Sequence, residues 1–267
     1  MTRILRLLIA AALLLGGCIM ANQLDPLPTN GPSKSTSDDQ WESAYTVTCR
    51  IISGAESGTL LLANLDPQNM SGVYRLSTKD LPIQAKDGRE VVLQDGMTVE
   101  IAYGGSVQTT FPAHLDSPKS ITVTDRQKGL SSLYLQVLND LWDEDSALNE
   151  DREQISVDLS ETTLTPSERE AVAWAFGEQH DLAFGLVTLS HEELIEEGYL
   201  SGDKPPYYWE NGCLFTIREK ESDDKEITFE AMKWTSGLSA YMFTDCTAVY
   251  DQTDGYTGYE VGAYAIS

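Results

Sequence analysis

A run of oxygen-bearing side chains, DEDSALNED at residues 143–151, is the first candidate for metal chemistry. Alternating carboxylate and amide oxygens are the ligands that calcium prefers in a protein loop. The spacing of an EF-hand fails here, because Ala147 occupies a ligand position and Leu148 replaces the glycine of the turn. We therefore interpret the run as an acidic connection between a helix and a strand, and we predict no metal site.

Nucleophilic and acid–base chemistry is equally hard to place on this sequence. The three histidines, His114, His180 and His191, lie in no ligand spacing such as HExxH. No serine occupies a GxSxG elbow, and no glycine-rich phosphate or dinucleotide motif is present. A carboxylate pair suited to glycoside hydrolysis cannot be recognised without geometry. The sequence predicts no catalytic residue and no cofactor, and an envelope hydrolase with an unrecognised acidic site is the alternative to a binding protein.

The thiol of Cys18 is a candidate site of covalent modification. Two arginines precede a short apolar run at residues 7–15, which is too short for a membrane span of roughly 20 residues and fits a secretory signal peptide. The run ends in LGGC at residues 15–18, which resembles the bacterial lipobox, where a diacylglycerol is attached to a cysteine thiol. We expect cleavage to remove residues 1–17, and acyl chains such as palmitate on Cys18 to anchor the protein in the membrane.

Residues 18–42 follow the predicted cleavage site as a flexible tether. They are rich in Pro, Ser, Thr, Asn and Asp and show no apolar periodicity. Such a segment would hold the folded part of the chain away from the membrane. The rest of the chain is long enough for one large domain or two small ones.

Three cysteines remain beyond the predicted anchor, and their odd number leaves at least one thiol unpaired within the chain. Cys213 and Cys246 both lie in strand-like runs, so a disulfide between them is one alternative. Two buried free thiols are the other, since a free cysteine is often a small core residue. Cys49 and these two residues form no CxxC, which argues against a zinc site and a redox dithiol.

The charge of the chain is strongly negative and unevenly distributed, with a formal net charge of −24. Residues 43–125 hold 6 basic and 9 acidic residues, whereas residues 126–267 hold 9 basic and 29 acidic residues. Nucleic acid and anionic lipid headgroups are therefore poor partners for the second half. Cationic ligands, metal ions or basic surfaces are compatible with this charge, although an acidic surface that keeps the protein soluble explains it more simply.

Aromatic residues crowd the C-terminal third of the chain, and Tyr207, Tyr208 and Trp209 follow two prolines in a predicted loop. Exposed aromatic side chains anchor ligands, so we predict that these three residues form a recognition surface. The other aromatic residues could line a sugar or peptide groove or form the core beneath two helices, and we favour the core. They are Trp234, Tyr241, Phe243, Tyr256, Tyr259 and Tyr264.

Period-two alternation dominates residues 45–125. Short strands are predicted for AYTVTCRIIS, TLLLANL, GVYRLST, GREVVLQDG, MTVEIAYGG and SITVTD. Several short strands without helix-period stretches favour a small β-barrel. This half resembles the OB-fold-type modules of small secreted proteins and lipoproteins of Gram-positive bacteria, on the segments GTLLLANL, VYRLS and LQDGMTVEIAYGGSVQTTFPAHLDSPKSITV. The resemblance implies an OB-like barrel and no particular ligand.

The second half changes period. GLSSLYLQVLNDLW places its apolar residues on one helical face, and QISVDLS alternates like a strand. Thr165–Glu168 and Ser190–Glu193 match the capping box, which predicts two further helices. Four strands follow as an antiparallel meander. The sequence thus predicts an α+β domain with helices packed on an antiparallel sheet, and a cystatin-like or NTF2-like sheet is a candidate. The strands are GCLFTIREK, EITFEAMKW, SAYMFTDCTAVYD and GYEVGAYAI.

The second half also resembles an uncharacterised lipoprotein family of anaerobic Gram-positive gut bacteria, on segments such as LTPSEREAVAWAF and MKWTSGLSAYMFTDC. The resemblance implies no activity and no catalytic residue. We therefore predict a two-domain protein, with an OB-like barrel over residues 43–125 and an acidic α+β domain over residues 126–267. We expect a binding protein on the extracytoplasmic face of the cell membrane, with a protein, peptide or glycan partner and no nucleic acid.

Overall fold

The computed structural model describes residues 45–66, 72–223 and 225–267. Strands account for 42% and helices for 19% of the described residues, so the fold is mostly β. The predicted signal peptide, the tether and Cys18 lie outside the described residues. In the part of the chain that is described, no helix combines the length and the apolar character needed to cross a membrane.

The first sheet is a half-barrel of short strands. Its strands are β1 (Tyr45–Ser53), β2 (Thr59–Asn64), β3 (Val73–Ser77), β4 (Ile83–Ala85), β5 (Thr98–Tyr103), β6 (Ala113–His114) and β7 (Ser120–Asp125). They lie in the order β4-β7-β5-β1-β2-β3-β6, and most neighbours are antiparallel. Five of the predicted strands are confirmed as β1, β2, β3, β5 and β7.

The predicted strand GREVVLQDG is wrong. Its segment forms a single bridge, between Gln84 and Glu90, and otherwise runs as a loop. Val92 is 81% exposed while Leu93 is buried in the half-barrel, so the segment buries alternate side chains as a strand would, but it does so without pairing in a ladder. The loop ends at Gly96, whose φ of 93° suits glycine and whose N–H donates to the carbonyl of Ile51 at 2.7 Å.

The second sheet is mixed. Its strands are β8 (Gln154–Asp158), β9 (Leu186–Val187), β10 (Gly212–Ser222), β11 (Glu226–Ser236), β12 (Ser239–Asp251), β13 (Gly255–Tyr256) and β14 (Ala263–Ile266). The order is β13-β12-β11-β10-β8-β9, with β14 paired to β12. The predicted meander of β10, β11, β12 and β14 is confirmed. The sheet is not wholly antiparallel as predicted, because β8 runs parallel to both β9 and β10.

Three helices accompany this sheet in the described part of the chain: α1 (Leu130–Asp143), α2 (Pro166–Gln179) and α3 (His191–Glu196). Both predicted capping boxes are confirmed. The hydroxyl of Thr165 accepts from the backbone N–H of Glu168, and the Glu168 carboxylate accepts from the Thr165 N–H in return. Ser190 and Glu193 repeat the arrangement at α3. The crossover through α2 explains why β8 and β9 are parallel, since a βαβ connection returns the chain in the same direction.

Helix α2 lies between the two sheets and contacts β1, β2 and β3 as well as α1. Its buried residues run almost consecutively from Ala171 to Gly177 instead of forming one stripe, as expected for a helix covered on opposite sides. The carboxylate of its capping residue Glu168 also lies 3.5 Å from the Arg50 guanidinium on β1. Outward-facing residues of the half-barrel therefore share one core with the second sheet. They are Ile52, Leu61, Ala63 and Val73.

The described residues form one compact unit, and the predicted two-domain layout is not confirmed. The boundary near residue 125 falls between two sheets that share the core around α2. A second apolar cluster fills the inside of the half-barrel and draws on residues 47–123 alone. The fold is thus a half-barrel, a helical layer and a mixed sheet, stacked in that order.

All three described cysteines are buried free thiols, so Cys213 and Cys246 do not form a disulfide. Leu214, next to Cys213, pairs with Trp234 on β11, whereas Cys246 pairs with Phe229. Five residues of extended strand separate those two partners, a span of about 16 Å. A disulfide needs Cα atoms within about 7 Å, and the sheet therefore keeps the two thiols apart.

We expect alkaline pH to destabilise the fold through these thiols. Burial raises the pKa of Cys49 far above its ordinary value of 9.0 and raises those of Cys213 and Cys246 to about 12. Above pH 9 the thiols ionise in the unfolded chain but stay protonated in the folded one, so the free energy of unfolding falls as pH rises towards 12. The fall approaches about 1.4 kcal/mol per pH unit for each thiol.

Denaturant unfolding at about pH 8, pH 9 and pH 10 measures this slope. The variant Cys246→Ala removes one such thiol. It is expected to reduce the slope of the free energy of unfolding against pH by the amount that corresponds to about one proton, relative to the wild type. Equal slopes in the variant and the wild type would contradict the assignment of the pH dependence to buried thiols.

Candidate functional site

A cleft of about 440 Å³ opens between α1 and the edge of the second sheet where β14 lies. Carboxylates line one wall and aromatic rings line the other, which makes it the strongest candidate for a binding site. Its lining residues are Gln136, Asp140, Asp143, Glu144, Phe243, Tyr259, Val261 and Tyr264.

The helical wall follows from the periodicity of α1. Residues 136, 140 and 143 are spaced by about one turn each, so they share one face of the helix, and Glu144 follows as the extended C-cap residue. The opposite face of α1 is apolar and buried against the second sheet and α2. Because the burial of that face fixes the rotation of the helix, it also aims the acidic face at the cleft. Asp140 is half-buried, while Asp143 and Glu144 are exposed.

The sheet wall consists of aromatic side chains at the edge of the second sheet, where the helices no longer cover it. Tyr241 and Phe243 on β12 are buried beneath the helices. Tyr264 on β14 pairs directly with Phe243, and their ring centroids lie 5.6 Å apart in an edge-to-face arrangement. The helical layer does not extend over β14, so Tyr264 remains 60% exposed. The row of aromatic side chains that is buried at Phe243 therefore ends in an exposed side chain, Tyr264, at the edge of the sheet.

Two tyrosine hydroxyls tie the walls together. The Tyr259 hydroxyl donates to Oδ2 of Asp140 at 2.9 Å, and the Tyr241 hydroxyl donates to Oε2 of Glu144 at 3.1 Å. Burial, followed by the hydrogen bond to the carboxylate, raises the pKa of both tyrosines, so both hydroxyls stay neutral donors. The carboxylate of Asp143 forms no hydrogen bond or ion pair with any described residue. Each tyrosine occupies one oxygen of its partner carboxylate, and the other oxygen forms no hydrogen bond with a described residue.

A buried lysine fixes the end of α1 beside the cleft. Lys233 belongs to the row Ile227, Phe229, Ala231 on β11 that faces the helices, and it is wholly buried. Its ammonium donates to the carbonyl oxygen of Trp142 at 3.1 Å, to that of Glu144, and to Oδ1 of Asn149 at 3.2 Å.

These bonds satisfy carbonyl groups that a helix C-terminus leaves without partners. Burial lowers the pKa of Lys233, and Cys213 together with the acids that follow α1 acts in the opposite direction. The oxygen-rich run 143–151 is thus folded around an internal cation. Among the residues that the structure describes, no group of three or more His, Cys, Asp or Glu side chains is arranged to hold a metal ion.

The predicted recognition surface is not assembled as one patch. Trp209 is only 2% exposed and packs in a small core with Leu194 and Trp234, with its ring 5.7 Å from that of Tyr199. Tyr207 is half-buried, and Tyr208 alone reaches solvent, at 47% exposure. Trp209 is buried because its N–H joins the end of β11, donating to the carbonyl of Thr235 at 2.7 Å.

Two of the three histidines, His180 and His191, pack against aromatic rings, whereas His114 on β6 is exposed. His180 stacks on Trp142 with centroids 4.0 Å apart, and its Nε2 lies 2.9 Å from Oδ1 of Asn139. Burial lowers the pKa of His180, which favours the neutral ring. His191 packs edge-on against Trp234 at 4.8 Å. Within the described residues, neither histidine forms a hydrogen bond with a serine or a cysteine.

Sequence reasoning missed the cleft, although both of its walls left a signal. Acidic residues recur at helical spacing at the end of α1, and the last strand-like segment contains two tyrosines, Tyr259 and Tyr264. The two signals lie more than a hundred residues apart, and only the pairing of β14 with β12 brings them together.

No protein family, no curated protein and no solved structure matches this chain.

We expect Lys233→Met to destabilise the protein by about 3 kcal/mol, because the carbonyl oxygens at the end of α1 lose a charged donor and remain buried. Urea unfolding measures the change. Lys220→Met is the matched control on β10, and its ion pairs with Glu230 and Asp245 lie on the surface, where such pairs contribute little. A similar loss in both variants would argue against a structural role for the buried ammonium.

Proposed function

We propose that this protein is a lipid-anchored binding protein of the cell envelope that recognises cationic organic groups in the acidic and aromatic cleft. The observation that carries the proposal is the cleft itself, in which Asp140, Asp143 and Glu144 face the rings of Tyr259 and Tyr264. The proposed anchor is the acylated thiol of Cys18, for which the sequence LGGC is the support.

An organic cation matches both walls of the cleft. Carboxylates attract its charge, and aromatic faces attract it through their quadrupoles, by about 0.5–2 kcal/mol per ring depending on exposure. The nearest buried cation, Lys233, is already bound to backbone and amide oxygens, so it leaves the three carboxylates available. The surplus of acidic residues in residues 126–267 would also draw cationic ligands towards this half of the protein.

Binding is supported better than hydrolysis. The tyrosine hydroxyls that meet Asp140 and Glu144 hold these carboxylates as hydrogen-bond acceptors, which suits the recognition of a donor-rich cation. A covalent mechanism needs a nucleophile within hydrogen-bond reach of a base. His180 and His191 instead pack against tryptophans, one stacked and one edge-on, and so give no support to such a pair.

We also propose the finer assignments that the sequence suggested. An OB-like identity for the half-barrel is supported by its five longer strands, the number found in an OB fold. A curved, NTF2-like or cystatin-like sheet for the second half is supported by α1 and α2, which pack on one face of a meander. Kinship with lipoproteins of Gram-positive gut bacteria rests on the sequence resemblance alone.

Binding of a small cation tests the proposed function. Full-length protein in an uncharged detergent is titrated with N-acetyl-lysine amide, and saturation-transfer NMR of the probe reports binding. We expect the double variant Asp140→Asn, Glu144→Gln to weaken binding about tenfold, which corresponds to about 1.4 kcal/mol. We also expect binding to weaken as salt is added, since the carboxylates are only partly buried.

The matched control is Glu192→Gln, Glu196→Gln on α3, which removes the same net charge from exposed positions away from the cleft. This control is expected to bind the probe like the wild type. If both double variants weaken binding equally, the effect is one of overall charge and the cleft is not the site.

Metabolic labelling tests the proposed anchor. We expect labelled palmitate to mark the wild-type protein in a bacterial host and to leave Cys18→Ala unmarked, because the acyl chains need the thiol. Cys49→Ala is the control and should be labelled like the wild type, since Cys49 is buried in the half-barrel. Equal labelling of the wild type and Cys18→Ala would refute the proposed anchor and would have no bearing on the proposed binding of cations in the cleft.

A further inference from the structure

Among the described residues, strand β14 forms an open edge of the second sheet next to the cleft. It pairs with β12 on one side, and all four of its residues are exposed. Open edges are templates for another strand, and proteins usually protect them with charged residues, prolines or a covering segment. The sequence AYAI carries neither a charge nor a proline, and Ile266 is 72% exposed.

The register shows which backbone groups this edge offers. Ala240 and Ser267 exchange two hydrogen bonds, of 3.3 Å and 3.1 Å, across the pair of strands. Because bonded and non-bonded positions alternate along an antiparallel strand, Ala263 and Ala265 also face β12. The N–H and C=O groups of Tyr264 and Ile266 therefore point away from it, and no backbone group of the described residues pairs with them.

The side chains of the same two residues lie on the helix side of the sheet. Tyr264 packs on Phe243 and lines the cleft opposite the acidic face of α1. A strand added to this edge would place every second side chain on that face of the sheet. Those side chains would extend towards Asp140, Asp143 and Glu144, while the intervening ones would point to the opposite face.

We propose that the partner is an extended basic peptide that adds to β14 as a further strand, with lysine or arginine at every second position. This inference rests on the proposed function and specifies the ligand of the same cleft. Backbone hydrogen bonds to Tyr264 and Ile266 hold the strand, and the alternate basic side chains neutralise the carboxylates. A second copy of this chain is disfavoured at the edge, because it would bring two acidic clefts together.

The experiment compares capped peptides of three designs by fluorescence anisotropy, on full-length protein in an uncharged detergent. In the first, lysine and threonine alternate; the second has the same composition with the lysines in one block; the third is the alternating peptide with N-methyl groups that remove every second backbone donor. Each methylation register is made. We expect the block peptide, and one of the two methylated registers, to bind about tenfold more weakly than the alternating peptide.

A pair of variants tests the edge itself. Ile266→Pro removes the outward N–H without breaking a bond to β12, whereas Ile266→Ala removes the side chain and keeps the N–H. We expect the proline variant to lose about tenfold more affinity for the alternating peptide than the alanine variant. Both variants should bind N-acetyl-lysine amide like the wild type.

The outcomes separate the two proposals. If the alternating, block and methylated peptides bind alike while N-acetyl-lysine amide still needs Asp140 and Glu144, the proposed function stands and strand addition is overturned. If neither peptide nor small cation binds, the proposed function itself fails. If Ile266→Pro changes the sedimentation of the ligand-free protein and Ile266→Ala does not, the edge pairs with a second copy, which also overturns the inference.

Discussion

A lysine ammonium buried at the end of α1 is the interaction on which the candidate site depends. Lys233 reaches from the core-facing row of β11 to the carbonyl oxygens of Trp142 and Glu144. A buried charge without partners would cost several kcal/mol, so the lysine and the helix end must stay together. Their contact fixes the distance and position of the C-terminal end of α1 above the sheet. The position of the acidic wall is fixed as a consequence.

The helical layer has a second constraint, the burial of α2 on opposite sides. A helix between two sheets must present small or apolar residues all round, and α2 does so with alanines near Phe176. The sheets can then share a core, which ties the half-barrel to the acidic half. The layer is narrower than the second sheet, however, and β14 projects beyond it. The exposed margin with Tyr264 is a direct consequence of that mismatch in width.

Local patterns predicted most of the elements. The alternation in β1, β2 and β10–β12 and the capping boxes of α2 and α3 depend on neighbours within a few residues, so the sequence contains their cause. The site was predicted poorly. Trp209 was assigned to a surface because its loop carries two prolines, yet tertiary contacts with Leu194 and Trp234 bury it. The acidic run 143–151 was predicted to connect a helix to a strand, but its contact with a lysine 84 or more residues away was not predicted.

The sequence by itself determined most of the strands and helices, the capping of α2 and α3 and the strong negative charge of residues 126–267, because each follows from local periodicity or composition. Only the tertiary structure decided that the sheet is mixed, that Cys213 and Cys246 are held apart, and that tyrosines of the last strands face carboxylates of α1. Those features depend on strand register and on helix placement, which are set by contacts between residues distant in the chain and leave no local pattern to read.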